Sequence, residues 1–119
     1  MEHSKEFLEL VNQAKAFVRE VSVKETLERL ENGAVLIDVR EDMEYTAGHA
    51  AGAEHIGRGV IERDIVAKHP DKSEELILYC GGGYRSALAA ESLQKMGYTN
   101  VWSMAGGWAA WKEADAPIE

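Results

Sequence analysis

The period of the apolar positions changes several times along this chain, and each change marks a different element. Phe7, Leu10, Val11, Ala14, Phe17 and Val18 recur at helical spacing among Glu6, Glu9, Gln13 and Lys15, which predicts an amphipathic helix over residues 5–19. Ser22 and Glu25 have the spacing of a capping box. A second helix is therefore expected from that point, with Val23, Leu27 and Leu30 on one face and a stop at Asn32-Gly33. The helical period then disappears. Ala34-Val35-Leu36-Ile37-Asp38-Val39 is apolar almost without a break, as in a strand covered on both faces. Leu76-Ile77-Leu78-Tyr79 and Val101-Trp102-Ser103-Met104 have the same character, and residues 53–56 form a weaker strand. Short helices over residues 43–47 and 60–68, a longer one over 86–96 capped by Gly97, and a last one over 108–114 fill the intervals. Strands that alternate with helices predict an α/β fold, with a parallel sheet covered on both faces. No repeat or linker interrupts it, so one domain over residues 21–119 is expected, preceded by a helical extension over residues 1–20.

Length and charge narrow the function classes. A chain of 119 residues suits one hydrophobic core. Its formal net charge of −8 argues against a nucleic-acid partner. No segment approaches the roughly 20 apolar residues that span a bilayer, so no membrane partner is expected. The start, Met1-Glu2-His3-Ser4-Lys5-Glu6, lacks the basic and apolar runs of a secretory signal, and a cytoplasmic location is the expectation. The single cysteine excludes an internal disulfide and a four-thiolate metal centre. His3, His55 and His69 have no metal-ligand spacing, so no metal is expected.

That cysteine stands in the most informative segment, Tyr79-Cys80-Gly81-Gly82-Gly83-Tyr84-Arg85-Ser86. It leaves the C-terminal end of a buried strand and enters a helix, the edge of an open α/β sheet where ligands bind. Three glycines let the backbone curl and turn N–H groups toward the sulfur, with a positive φ expected at Gly82. The positive end of the following helix adds to the effect. Both features favour an anion on Cys80, whether a thiolate, a persulfide, an oxyanion or a phosphate.

The segment resembles the active-site loop of the rhodanese family, in which Cys precedes a short glycine-containing loop, then Arg and Ser or Thr. Leu36-Ile37-Asp38-Val39-Arg40-Glu41, Glu44-Tyr45, Gly48-His49 and Gly52-Ala53 resemble the family's N-terminal signature. Gly97-Tyr98, Val101, Gly106-Gly107-Trp108 and Trp111 resemble its C-terminal one. Ala51 and Gly57 stand where many members have proline. The resemblance covers residues 22–115 and implies a three-layer fold, with about five parallel strands between helices.

It also implies a sulfurtransferase without metal or organic cofactor. Cys80 would take sulfur from a donor such as thiosulfate or a persulfide, hold it as a persulfide cradled by residues 81 to 86, and pass it to cyanide, a thiol or a protein. A carrier module loaded only by protein partners is an alternative reading. A phosphatase or arsenate reductase is another, although four residues between Cys80 and Arg85 make a smaller ring than the phosphatase loop. Arg58 and Glu44 are expected at the pocket rim, and an acid at position 44 would weaken binding of a dianionic donor. Arg85 has two candidate roles: holding an anionic donor, or pairing with an acid such as Asp38. The oligomeric state is left open, as is the role of the N-terminal helix, which either covers the sheet or docks a partner.

Overall fold

The near-continuous apolar runs form the middle of a parallel sheet in the computed structural model, which describes residues 3–119. β2 (Val35–Asp38) and β4 (Leu76–Tyr79) pair in register, from Val35 opposite Leu76 to Asp38 opposite Tyr79. β5 (Val101–Met104) pairs with the other side of β4. The edges are β1 (Arg19–Val21) beside β5 and β3 (Glu54–His55) beside β2. The order is β1-β5-β4-β2-β3, with every pair parallel.

Alternation along each strand sends its side chains to two cores. Leu36, Ile77 and Met104 meet Val23 of α2 (Val23–Glu31) and Trp111 of α6 (Gly107–Glu113). Ile37 and Leu78 meet Ile61 and Ile65 of α4 (Ile61–Lys68), and Ala89 and Leu93 of α5 (Tyr84–Lys95). The expected three-layer α/β architecture is therefore present. α1 (Lys5–Lys15) lies outside these layers and packs on α5 through Val11, Ala14 and Leu88. The capping box of α2 forms as expected: Glu25 N–H donates to Ser22 Oγ at 3.0 Å, and Ser22 N–H to Glu25 Oε1 at 3.1 Å.

One predicted element changes. The helix expected over residues 5–19 ends at Lys15, and Arg19–Val21 is an edge strand that crosses the boundary drawn after residue 20. Phe17 matched the helical stripe by spacing alone; it is 74% exposed. Val18 and Val21 instead enter the two cores, while the backbone of β1 pairs with Trp102 to Met104. Sheet pairing at a free edge outweighs another helical turn there.

Two polar networks tie the layers together. Asp38, fully buried at the end of β2, accepts from Arg40 N–H at 2.9 Å, Arg40 Nη2 at 2.8 Å and Tyr79 Oη at 2.6 Å. Burial, reinforced by that hydrogen bond, pushes the Tyr79 hydroxyl well above its ordinary pKa. At the C-terminal end of α4, the His69 ring meets Glu54 Oε2 through Nε2 at 2.6 Å and Glu74 Oε1 through Nδ1 at 2.9 Å. A ring with carboxylates on both nitrogens needs two N–H donors, which only the imidazolium has.

Burial works against that charge, but the two carboxylates outweigh it and raise His69 above its ordinary 6.5. A raised value means that the stabilisation is complete below about pH 6.5 and is lost as pH rises through the folded-state value. The unfolding free energy of the wild type, relative to His69→Asn, should therefore decline with pH above that point in urea titrations. A difference that stays constant with pH would refute the charged clamp.

Candidate active site

Cys80 follows β4 directly, is buried, and lines a cleft of about 590 Å³. The cleft is lined by Gly81, Gly82, Tyr84, Arg85, Glu44 and Arg58, together with His3 and Phe7 of the N-terminal segment. The residues singled out from sequence thus converge on one site, with Gly83 and Ser86 just beneath it.

The loop holds the sulfur through backbone and hydroxyl groups. Gly83 N–H donates to Cys80 Sγ at 3.1 Å, and the thiol in turn reaches Ser86 Oγ at 3.5 Å. Ser86 Oγ is 2.8 Å from Ser103 Oγ, and either hydroxyl can donate. Both serines are buried. Ser103 escaped the sequence reading; its only signal was a hydroxyl on an otherwise apolar strand. The positive φ expected at Gly82 occurs instead at Gly83, at +100°. Gly83 caps the N-terminus of α5, where the left-handed turn brings its N–H onto the sulfur.

The carbonyl side of the loop is committed elsewhere. Trp108 N–H donates to Cys80 O at 2.7 Å, and Ala109 N–H to Gly81 O at 3.2 Å, so the first turn of α6 grips the loop from behind. Only glycine permits this approach. Gly107 has φ of +53°, and a Cβ there would run into the Cys80 carbonyl oxygen and lie 3.0 Å from the Gly81 carbonyl carbon.

Arg85 pairs with Glu44, and the suggested partner Asp38 is already taken by Arg40 and Tyr79. The pair is bidentate, with Nη1 to Oε1 at 2.8 Å and Nη2 to Oε2 at 3.2 Å. The Arg85 hydrogen bond, helped by Glu41 N–H, holds the Glu44 carboxyl down at about 2 despite partial burial, and Glu44 in turn raises Arg85. Arg58 lines the exposed rim as expected, and its guanidinium joins no ion pair among the described residues. His49 is not at the cleft; its ring stacks on Tyr45 at 3.7 Å. No group of three or more metal-ligating side chains occurs among the described residues.

The chain that builds this site, with a sulfur at the C-terminal end of a central parallel strand in a tight glycine loop, is similar as a whole to known proteins. The family model for the rhodanese-like domain matches residues 22–114. The chain belongs to the rhodanese-like family. Within it, the thiosulfate sulfurtransferase GlpE of Haemophilus influenzae is 31% identical over 102 residues, covering 85% of this chain and 94% of that protein. The protein of the same name from Pseudoalteromonas translucida is 35% identical, covering 81% and 90%. Two solved structures share the rhodanese-like architecture. One, from Rhodopseudomonas palustris, is described as a protein of unknown function and possible tyrosine phosphatase. It superposes with a TM-score of 0.83 at 26% identity, covering 100% of this chain and 98% of its own. The other, the polysulfide-sulfur transferase homodimer of Wolinella succinogenes, gives 0.80 at 25% identity, covering 95% and 86%.

The grip of α6 on the loop is open to a direct test. Gly107→Ala should lower the unfolding free energy by about 2–4 kcal/mol through backbone clash and strain. Gly59→Ala, where a Cβ meets open space, should shift it by less than about 1 kcal/mol. Equal effects in urea denaturation would mean that the loop and α6 do not constrain each other.

Proposed function

We propose that this protein is a sulfurtransferase that carries sulfane sulfur on Cys80. The observation that carries the reading is the buried Cys80, which lines the cleft and whose sulfur receives the Gly83 N–H at 3.1 Å. The short ring from Cys80 to Arg85 suits one further sulfur atom better than a tetrahedral anion. The named activities of the Haemophilus, Pseudoalteromonas and Wolinella relatives support the same reading.

The Cys80 thiolate attacks the outer sulfur of the donor. With thiosulfate, the donor S–S bond breaks, sulfite leaves with the electron pair, and a Cys80 persulfide anion remains. Gly83 N–H and the α5 N-terminus stabilise the charge, and the Ser86 hydroxyl turns to donate to sulfur while Ser103 donates to Ser86. A thiophilic acceptor (cyanide, a thiol or a protein cysteine) then attacks the terminal sulfur and restores the thiolate. The chemistry calls for no metal or organic cofactor. No described helix is long and apolar enough to cross a membrane, and a reducing cytoplasm suits a cycle that depends on a free thiol.

The Rhodopseudomonas relative, described as a possible tyrosine phosphatase, raises phosphoryl chemistry as a second reading. Two features oppose it here. The arginine that would hold a phosphate is already bound through both terminal nitrogens by Glu44, and the Glu44 charge repels a dianion at the same rim.

Cys80→Ser should abolish thiocyanate formation from thiosulfate and cyanide and leave the unfolding midpoint in place, while intact-mass analysis of donor-treated wild type shows one added sulfur. Retained turnover in that variant would end the persulfide mechanism. A stable added sulfur without turnover would favour the carrier reading. Glu44→Gln should raise kcat/KM for thiosulfate about fivefold, the equivalent of roughly 1 kcal/mol for a partly exposed charge. A decrease would mean that Glu44 assists the donor.

A further inference from the structure

The cleft over Cys80 has two unlike walls. One is polar, built from the loop, Arg58 and the Glu44–Arg85 pair. The other is aromatic, built from His3 and Phe7 at the start of the chain and Tyr84 at the first position of α5. The three rings form one cluster: His3 meets Tyr84 edge-on with centroids 4.8 Å apart, His3 lies 5.1 Å from Phe7, and Phe7 meets Tyr84 edge-on at 6.3 Å. The Lys15 ammonium lies 5.3 Å from the Tyr84 centroid and helps hold that ring in place. All three residues are half-buried, so each keeps surface free to meet a ligand.

Thiosulfate has no use for such a wall, because it is small, doubly charged and without apolar surface. The cleft volume of about 590 Å³ falls within the range of roughly 300–1,000 Å³ typical of sites that enclose whole organic ligands. Charge points the same way. Glu44 neutralises Arg85, which leaves Arg58 as the lining cation outside any ion pair among the described residues, matched to one negative charge rather than two. We propose that the cleft selects an organic sulfane-sulfur donor with a flat aromatic body and a single negative charge, its ring held against His3, Phe7 and Tyr84. This rests on the reading of Cys80 as the persulfide carrier.

An aryl thiosulfonate meets these terms. The Cys80 thiolate attacks its terminal sulfur, the bond from that sulfur to the sulfonyl sulfur breaks, the arenesulfinate departs with the electron pair, and the Cys80 persulfide anion remains. Charge and atoms balance as they do with thiosulfate.

The test compares benzenethiosulfonate with methanethiosulfonate, which have the same charge and sulfonyl group and differ in the ring. The readout is the ratio of their kcat/KM values in the cyanide assay, corrected by the same ratio for free cysteine. The wild-type ratio should exceed about tenfold, and Phe7→Leu and His3→Ala should each reduce it by roughly fivefold, the scale of one lost aromatic contact. Phe7→Leu keeps an apolar side chain on α1, and thermal unfolding of both variants checks that the helix stays docked on α5. If the rings serve only to fix α1 to α5, the ratio does not move. A wild-type ratio near one, or either variant retaining the wild-type value, overturns the proposal while leaving Cys80 chemistry intact. Failure of both thiosulfonates and of thiosulfate either to yield thiocyanate or to leave an added sulfur on the protein by intact mass overturns the parent reading and this one with it.

Discussion

The buried pair of Asp38 and Arg40 holds the C-terminal edge of the sheet in place, and the loop depends on that edge. Asp38 is fully enclosed at the end of β2, yet its carboxylate is satisfied by the Arg40 backbone and guanidinium and by the Tyr79 hydroxyl. Arg40 also donates to Gly48 O at 2.7 Å, and its guanidinium lies 4.7 Å from the centre of the Trp108 ring. Trp108 in turn supplies the N–H that holds the Cys80 carbonyl. One ion pair thus links β2, the end of β4 and the start of α6. Removing one member of such a pair typically costs about 3–5 kcal/mol, because the other is left charged in the interior. The Cys80 sulfur therefore sits on a frame with little freedom to shift.

Above that frame, the charges nearest the sulfur cancel. Arg85 and Glu44 satisfy each other, so the groups that address Cys80 directly are a backbone N–H and a hydroxyl relay. Backbone dipoles fixed by the fold need no rearrangement as charge moves between a thiolate and a persulfide. Under the proposed function, the side-chain charges would set which donor enters, and the loop what happens to it.

Local patterns were readable from sequence, and long-range partnerships were not. β4, the loop that follows it and the Ser22–Glu25 cap each rest on neighbouring residues, so spacing alone identified them. Asp38 and Arg40 pair across only two positions at a strand end, whereas the one partner suggested for Asp38 from the sequence was the distant Arg85. The Arg85 partner was not legible, because choosing Glu44 requires knowing that Asp38 is already occupied and that α3 (Asp42–Ala47) turns Glu44 toward α5. β1 was hidden because three residues carry no period, and Phe17 and Val18 extended the helical stripe by coincidence. The left-handed glycine was assigned one position early, since Gly81, Gly82 and Gly83 are indistinguishable until the helix start is fixed at Tyr84. The aromatic wall joins residues far apart in the sequence, and nothing local announces it.

The sheet's two borders are short and occupied. β1 offers three residues, two of them the exposed Arg19 and Glu20, and β3 offers only Glu54 and His55, whose side chains reach back to His69 and to the Arg40 carbonyl. Neither border presents a long, flat row of free backbone groups on which a strand from another molecule could assemble. Under the proposed function, any protein that gives or takes the Cys80 sulfur would have to meet the chain repeatedly at close range. With both borders this short, such encounters would fall to the cleft face rather than to cross-chain strand pairing that ends in aggregates.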